Sequence, residues 1–164
     1  MNGEDLLLID PEWLDQDDQD DQEPPAEAIV GWWPAGGTGP FHPNPGYRPL
    51  FENSPADPLE AVIRLALVGE AEMDQVRTML RDSLVELALN GDGRPLLLPS
   101  PDGPLCAVAA TSTSHRERMF SPAWRQVALI ELLALLPADA DLLLNPGGPS
   151  WSRFTGDFVR EAAR

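Results

Sequence analysis

The chain has 164 residues, of which 43 % are hydrophobic, and a formal net charge of −16 at neutral pH. A chain of this length has room for one domain with its own core, with or without an appendage. Nucleic acids and anionic membrane surfaces bind clustered lysine and arginine, and a strongly negative protein repels them. These bulk properties argue against direct binding of DNA or RNA.

Cysteine usage and apolar runs narrow the class of protein further. Cys106 is the only cysteine, so an intrachain disulfide scaffold is excluded. The N-terminus lacks the positive charge of a secretory signal, and its apolar stretch, residues 6–9, is shorter than a signal requires. No apolar run approaches the roughly 18 residues of a membrane-spanning helix. We therefore expect a cytoplasmic protein with no membrane insertion.

The negative charge is concentrated in residues 1–27, which carry eleven carboxylates and no arginine. Residues 6–9 predict a short strand, which the segment 11–13 could anchor. Residues 15–23 have no apolar side chain and strong self-repulsion, so we expect them to be disordered in isolation. They do not form an EF-hand calcium loop, because Ala26 stands where the bidentate glutamate is needed. The sequence predicts an acidic N-terminal arm that the fold does not need.

Residues 28–55 form a second segment, a strand followed by a loop rich in proline, glycine and aromatic residues. The strand is predicted over 28–33 and ends at Pro34. Further prolines at 40, 43, 45 and 49 fix backbone angles and remove hydrogen-bond donors. The loop can therefore be neither a helix nor a central strand, and we expect it to pack as a belt over the domain.

Residues 56–164 carry the patterns of an α+β domain. Asp57, Pro58 and Glu60 begin a helix as N-cap, first-turn proline and N3 glutamate, and Gly69 ends it. Its predicted apolar stripe is Leu59, Val62, Ile63, Ala66 and Leu67. The later predicted elements are a helix over 72–80 with Met73, Val76, Met79 and Leu80 inward, strands 84–89, 95–98, 105–110 and 124–128, a helix over 129–136, strands 141–144 and 151–154, and a terminal helix capped by Thr155.

This order of helices, strands and hairpin turns predicts the α+β class. We expect a single domain with a mixed, mainly antiparallel sheet packed against helices, preceded by the acidic arm.

All eleven basic residues are arginine, which indicates the codon usage of a high-GC bacterial genome. The run Asn44–Pro49, shortly before Asp57–Val62, resembles proteins associated with type VII secretion systems in actinobacteria. The later order of Gly93–Leu96, Pro101–Pro104, Ala109–Ser112 and Leu143–Pro146 is similar to the SseB-like domain. The resemblance covers roughly Trp32 to the C-terminus and implies an SseB-like α+β domain over 56–164. It also implies a secretion-linked accessory role without defined chemistry.

Residues that could carry catalysis or bind metal are few. His42 and His115 are the only histidines, and we expect His115 to lie in a solvated loop. Cys106 lies in an apolar strand, which predicts a buried, inert thiol. Two histidines and one cysteine are too few soft ligands for a zinc site. The segment 145–150 lacks the lysine of a phosphate-binding P-loop, so we interpret it as a hairpin turn. We predict no catalytic, cofactor-binding or metal-binding residues.

The candidate partner-binding residues are Trp32, Trp33, Phe41, Tyr47 and Arg48. Consecutive strand residues point to opposite faces, so both tryptophans enter one core only if both faces are covered. Trp, Tyr and Arg are also enriched at interface hot spots. Two interpretations stay open: these side chains pack onto the protein's own sheet, or they contact a partner.

The sequence thus predicts a non-enzymatic, protein-binding adaptor or accessory protein linked to a type VII-like secretion system. The alternative is an acidic immunity protein that neutralises a basic toxin such as a nuclease, because opposite charge speeds such encounters. In either case the partner is another protein, and a second copy of the chain is one candidate.

Overall fold

A computed structural model describes residues 3–16, 21–37 and 39–164. It confirms the α+β class and the mixed, mainly antiparallel sheet packed with helices. The chain divides into two compact units, Met1–Ala71 and Glu72–Arg164, which are described in turn. Residues 17–20 of the acidic run, predicted to be disordered, lie outside the described residues.

The N-terminal unit is built on a three-stranded antiparallel sheet of order β1-β2-β3. Its elements are β1 (Leu6–Ile9), α1 (Pro11–Leu14), β2 (Ile29–Trp33), β3 (His42–Pro43) and α2 (Pro58–Leu67), with 3-10 turns at Ala26–Ala28 and Ala35–Gly37. Strand β1 pairs with β2 from Leu6↔Trp33 to Ile9↔Ile29, with a bulge after Leu8. Asp10 caps α1 by accepting a hydrogen bond from the backbone N–H of Glu12 at 2.9 Å.

The prediction of a dispensable acidic arm is wrong for residues 6–14. Leu8 and Trp13 are only 2 % and 5 % exposed, because β1 is hydrogen-bonded to β2 and α1 contacts α2. The cause is local apolarity: this short run can bury enough surface to offset its ordering entropy, despite the carboxylates around it.

Helix α2 begins as predicted. The carboxylate of Asp57 accepts a hydrogen bond from the backbone N–H of Glu60 at 2.9 Å, and Pro58 occupies the first turn. Leu59, Val62 and Ile63 are buried, which confirms most of the apolar stripe. Leu67 is an exception at 67 % exposure, since it is the last residue of the helix.

The C-terminal unit contains a six-stranded sheet and four helices. Its elements are α3 (Met73–Asp82), β4 (Leu84–Leu89), β5 (Leu97–Pro99), β6 (Leu105–Ala110), α4 (Thr113–Arg116), β7 (Ala123–Ala128), α5 (Leu129–Leu135), β8 (Asp141–Leu144), β9 (Ser152–Phe154) and α6 (Gly156–Ala162). Helices α3, α5 and α6 pack against one another, α5 against β4, and α6 against β8. Met73 was predicted to point inward but is 48 % exposed, because it opens the first turn of α3.

Strand order in this sheet is β7-β4-β6-β8-β9. The short strand β5 is outside this order and pairs with the first half of β6, whereas β4 pairs with the last residues of β6. Strands β6 and β8 are parallel, with Val108 opposite Leu143, and the other strand pairs are antiparallel. Leu142 and Leu144 point to one face and Leu143 to the other, and all three are buried. Both faces of the central strands are therefore covered. Among the described residues, no helix has the length and apolar character needed to cross a bilayer.

Candidate functional site

Strand β2 places the two tryptophans of the candidate surface on opposite faces of the N-terminal sheet. Trp33 is 3 % exposed and packs edge-on against Phe41, with ring centroids 4.8 Å apart. Trp32 is only partly buried, and its indole stacks on the imidazole of His42 at 5.7 Å. The alternation predicted from the sequence therefore leaves one indole inside the unit and one at its surface.

Gly31 lets the aromatic loop approach β2 closely. A β-carbon at this position would lie 2.2 Å from Cζ of Phe41 and 2.5 Å from the carbonyl oxygen of His42. Neither distance is compatible with a side chain. The pairing of β2 with β3, and with it the Trp32–His42 stack, therefore requires glycine here.

The Asn44–Gly46 turn ties the loop to the strand. The Asn44 side-chain amide donates hydrogen bonds to the carbonyls of Ala26 and Ile29, at 2.9 and 2.7 Å. Its carbonyl oxygen accepts from the backbone N–H of Gly46 at 3.0 Å. The exposed Arg48 guanidinium donates to the carbonyls of Pro45 and Tyr47, at 3.1 and 2.7 Å. The loop thus packs on the unit, and Arg48 remains at its surface.

Tyr47 points into a polar network that the sequence did not reveal. Its hydroxyl donates to the carbonyl of Pro55 at 2.6 Å, and burial, together with the negative charges of Asp10 and Glu60, raises its pKa. Asp10 and Glu60 are 0 % and 2 % exposed. Arg64 donates to Glu60 at 2.7 Å, which partly compensates the buried charge. We missed this cluster because its members lie up to 54 positions apart in the sequence.

The five predicted partner-binding residues therefore separate into two groups. Trp33, Phe41 and Tyr47 make contacts within the N-terminal unit, as the packing interpretation expected. Trp32 and Arg48 keep exposed surface. His42, which was not among the candidates, joins Trp32 through the ring stack. The one sequence feature that could have identified His42 was its position directly after the candidate Phe41.

Charge distinguishes the two units. Residues 1–71 contain fifteen carboxylates and two arginines, a net charge of −13, whereas residues 72–164 contain twelve carboxylates and nine arginines, a net charge of −3. Among the described residues of the N-terminal unit, seven carboxylate side chains are exposed: Glu4, Asp15, Asp21, Glu23, Glu27, Glu52 and Glu70. The surface of this unit is therefore strongly acidic.

In the C-terminal unit, Cys106 lies on β6 and is fully buried, which confirms the predicted burial. It packs with Ala88, Val108 and Leu143, and burial raises the pKa of its thiol. A raised pKa lowers the fraction of nucleophilic thiolate at neutral pH. The arrangement suits a core residue better than a nucleophile.

His115 differs from its prediction. We expected a solvated loop, but His115 is 3 % exposed and lies in the short helix α4, which Ser112 caps. Serine and threonine are favoured at the N-cap because their hydroxyls accept hydrogen bonds from the free N–H groups of the first turn.

Within each unit taken by itself, no three His, Cys, Asp or Glu side chains of the described residues lie close enough to share a metal ion.

The segment after β8 forms the predicted turn into β9. Asn145, at its start, is 1 % exposed and has a positive φ of 55°.

Comparison with known proteins does not identify a family for this chain. No protein-family model, no curated protein and no solved structure matches it.

Proposed function

We propose that this chain is a non-enzymatic, cytoplasmic accessory protein whose acidic N-terminal unit binds a basic protein partner. The observation that carries the proposal is the charge of this unit, −13 over 71 residues, against −3 for the rest of the chain. The link to a type VII-like secretion system rests on the sequence resemblance alone. The partner would then be a secretion component or a secreted substrate.

Charge of this size acts first on the rate of encounter. Clustered carboxylates attract an oppositely charged protein over several ångströms and raise its association rate, and added salt weakens the effect. Arg64 is paired with Glu60 and Glu12, so it does little to offset the exposed carboxylates. The N-terminal unit therefore favours a basic protein over an acidic one.

Affinity also needs a contact that excludes water. The partly exposed Trp32, stacked on His42, offers a rigid aromatic surface of the kind that dominates interface energetics. We infer that carboxylates of the N-terminal unit steer the partner and that Trp32 contributes to the close contact.

The test measures association with the basic protein encoded nearest to this gene, by titration calorimetry over a range of salt concentrations. The affinity should fall steadily as salt rises. A variant with Asp21→Asn, Glu23→Gln and Glu27→Gln should bind about tenfold or more weakly, because three steering charges are lost. Trp32→Ala should cost about 1–2 kcal/mol of binding free energy.

A matched variant removes three exposed carboxylates of the C-terminal unit, with Glu117→Gln, Asp139→Asn and Glu161→Gln. It should bind like the unchanged protein. Equal loss in both triple variants, or affinity independent of salt, would show that the N-terminal unit is not the binding surface.

The acidic unit also supports an immunity role, since a basic nuclease toxin would meet the same complementary charge. The two roles differ in their consequence. An immunity protein should restore growth to cells that express the toxin and should inhibit its activity in vitro. An accessory protein should instead leave the partner's activity unchanged and alter the amount secreted.

A further inference from the structure

The parallel strands β6 and β8 end side by side in the C-terminal unit. In their register Ala109 lies opposite Leu144, and the chain continues into Thr111 from one strand and Asn145 from the other. The intervening chain makes a crossover through α4, β7 and α5. In open α/β sheets, ligands bind in the crevice beyond the carboxyl ends of parallel strands. The shared end of β6 and β8 has the same local arrangement, which makes it a candidate small-molecule site.

Asn145 fixes the two strand ends relative to each other. Its side-chain oxygen accepts from the backbone N–H of Thr111 at 2.9 Å, and its amide donates to the Thr111 hydroxyl at 3.0 Å. Its own N–H donates to the carbonyl of Ala109 at 2.9 Å. A left-handed backbone at a buried, non-glycine residue is uncommon and directs the chain sharply into Gly147 and Gly148.

Arg118 lies against this glycine pair. A β-carbon built on Gly148 would come within 3.1 Å of the Arg118 Nη1 atom and 3.3 Å of the His115 Nδ1 atom. One built on Gly147 would lie 3.6 Å from the Arg118 carbonyl oxygen. The guanidinium and the imidazole therefore both approach the backbone of Gly148, where the absence of a side chain leaves them room.

Two arginines of this unit, Arg118 and Arg164, form no ion pair with a carboxylate of the described residues, and of these only Arg118 lies against the glycine pair. In a unit with more carboxylates than arginines, seven of the nine arginines form an ion pair with a carboxylate. Arg118 has no carboxylate partner among the described residues, although it is exposed and its neighbour Arg116 pairs with Glu86 at 3.0 Å. Arg118 is thus a cation available for an external anion.

We propose that Arg118, held against the Gly147–Gly148 turn, binds a phosphate group at the carboxyl ends of β6 and β8. The planar guanidinium donates two parallel hydrogen bonds to phosphate oxygens, and the missing side chain of Gly148 leaves room for the guanidinium beside the turn. The site is not a P-loop: its cation comes from a different segment of the chain.

The test is an NMR titration of the full chain, labelled with nitrogen-15, with inorganic phosphate at constant ionic strength. The amide signals of Gly147, Gly148 and Arg118 should shift and saturate. Arg118→Gln should weaken binding about tenfold or more, because the charge and the paired donors are lost. Gly148→Ala should also weaken binding, since its β-carbon displaces the guanidinium.

Arg125→Gln is the matched control, because Arg125 is also exposed in this unit but pairs with Glu131 at 3.5 Å. It should bind phosphate like the unchanged protein. Parallel titrations with phosphoserine and a nucleoside monophosphate show whether a free phosphate or a phosphate ester binds more tightly, and either ranking supports the site.

Three results would overturn the proposal: no saturable shift, equal binding of acetate and phosphate, or equal losses in the Arg118 and Arg125 variants. The titration involves no protein partner, so its outcome is independent of the proposed binding function.

Discussion

Gly31 shows how one residue sets the packing of the N-terminal unit. The Phe41 ring and the His42 carbonyl occupy the space that a side chain would need. This close approach places the Phe41 ring against Trp33 and the His42 imidazole against Trp32. In most strands a glycine weakens the sheet because it has no side chain to pack. Here the close approach of another part of the chain makes glycine necessary.

We expect Gly31→Ala to lower the free energy of unfolding by about 1–3 kcal/mol or more, since the added methyl group must displace Phe41 or the β3 backbone. Urea denaturation followed by tryptophan fluorescence measures the change. Gly91→Ala is the control, because a β-carbon there meets nothing within 4 Å. Its effect should stay below about 1 kcal/mol. Similar costs for the two variants would contradict the packing account.

At the scale of elements, β1 has the predicted bounds, but its burial departs from the prediction that the fold does not need the acidic arm. Its four residues lie between acidic neighbours, yet it pairs with β2 along its whole length and places Leu8 in the core. Leu6, in the same strand, is 44 % exposed. Leu6 and Leu8 point to the same face of the sheet, so burial on that face begins only after Leu6, the first residue of the strand.

This contrast gives a prediction about β1. Leu8→Ala should destabilise the protein by about 2–5 kcal/mol, because it removes a buried side chain and leaves a cavity. Leu6→Ala should cost less than about 1 kcal/mol, since the exposed side chain loses little burial. Thermal and chemical denaturation of both variants measures the difference. If Leu8→Ala were as mild as Leu6→Ala, the strand would not contribute to the core.

At the scale of the whole molecule, the two units differ in charge far more than in size. The N-terminal unit carries −13 and the C-terminal unit −3. Like charges repel one another in a compact state, so the N-terminal unit is the part whose folding this repulsion opposes. The same charge that favours a basic partner thus lowers the stability of the free protein.

Salt should therefore stabilise the N-terminal unit selectively. Raising the ionic strength from about 0.01 M to about 0.15 M shortens the screening length from roughly 30 Å to 8 Å. We expect amide hydrogen exchange in β2 to slow markedly over this range, with a smaller change in β6. Residue-resolved exchange by NMR measures both in the same sample. A larger effect in β6 would show that charge repulsion does not limit the N-terminal unit.

The sequence by itself determined the α+β class and nearly all the elements. Local signals sufficed for these: the cap at Asp57, the short apolar runs of β4 and β6, and the turn after Asn90 each depend on residues close together in the chain. It also determined the charge asymmetry, which needs only counting. The burial of Cys106 followed from its apolar strand.

Only the tertiary structure decided which candidate residues remain at the surface. Trp33 and Trp32 are equivalent in sequence, but Phe41 covers one and leaves the other partly exposed. The buried network of Asp10 and Glu60, and the approach of Arg118 to Gly148, join residues far apart in the chain. Such contacts depend on how distant segments pack, and no local propensity encodes them.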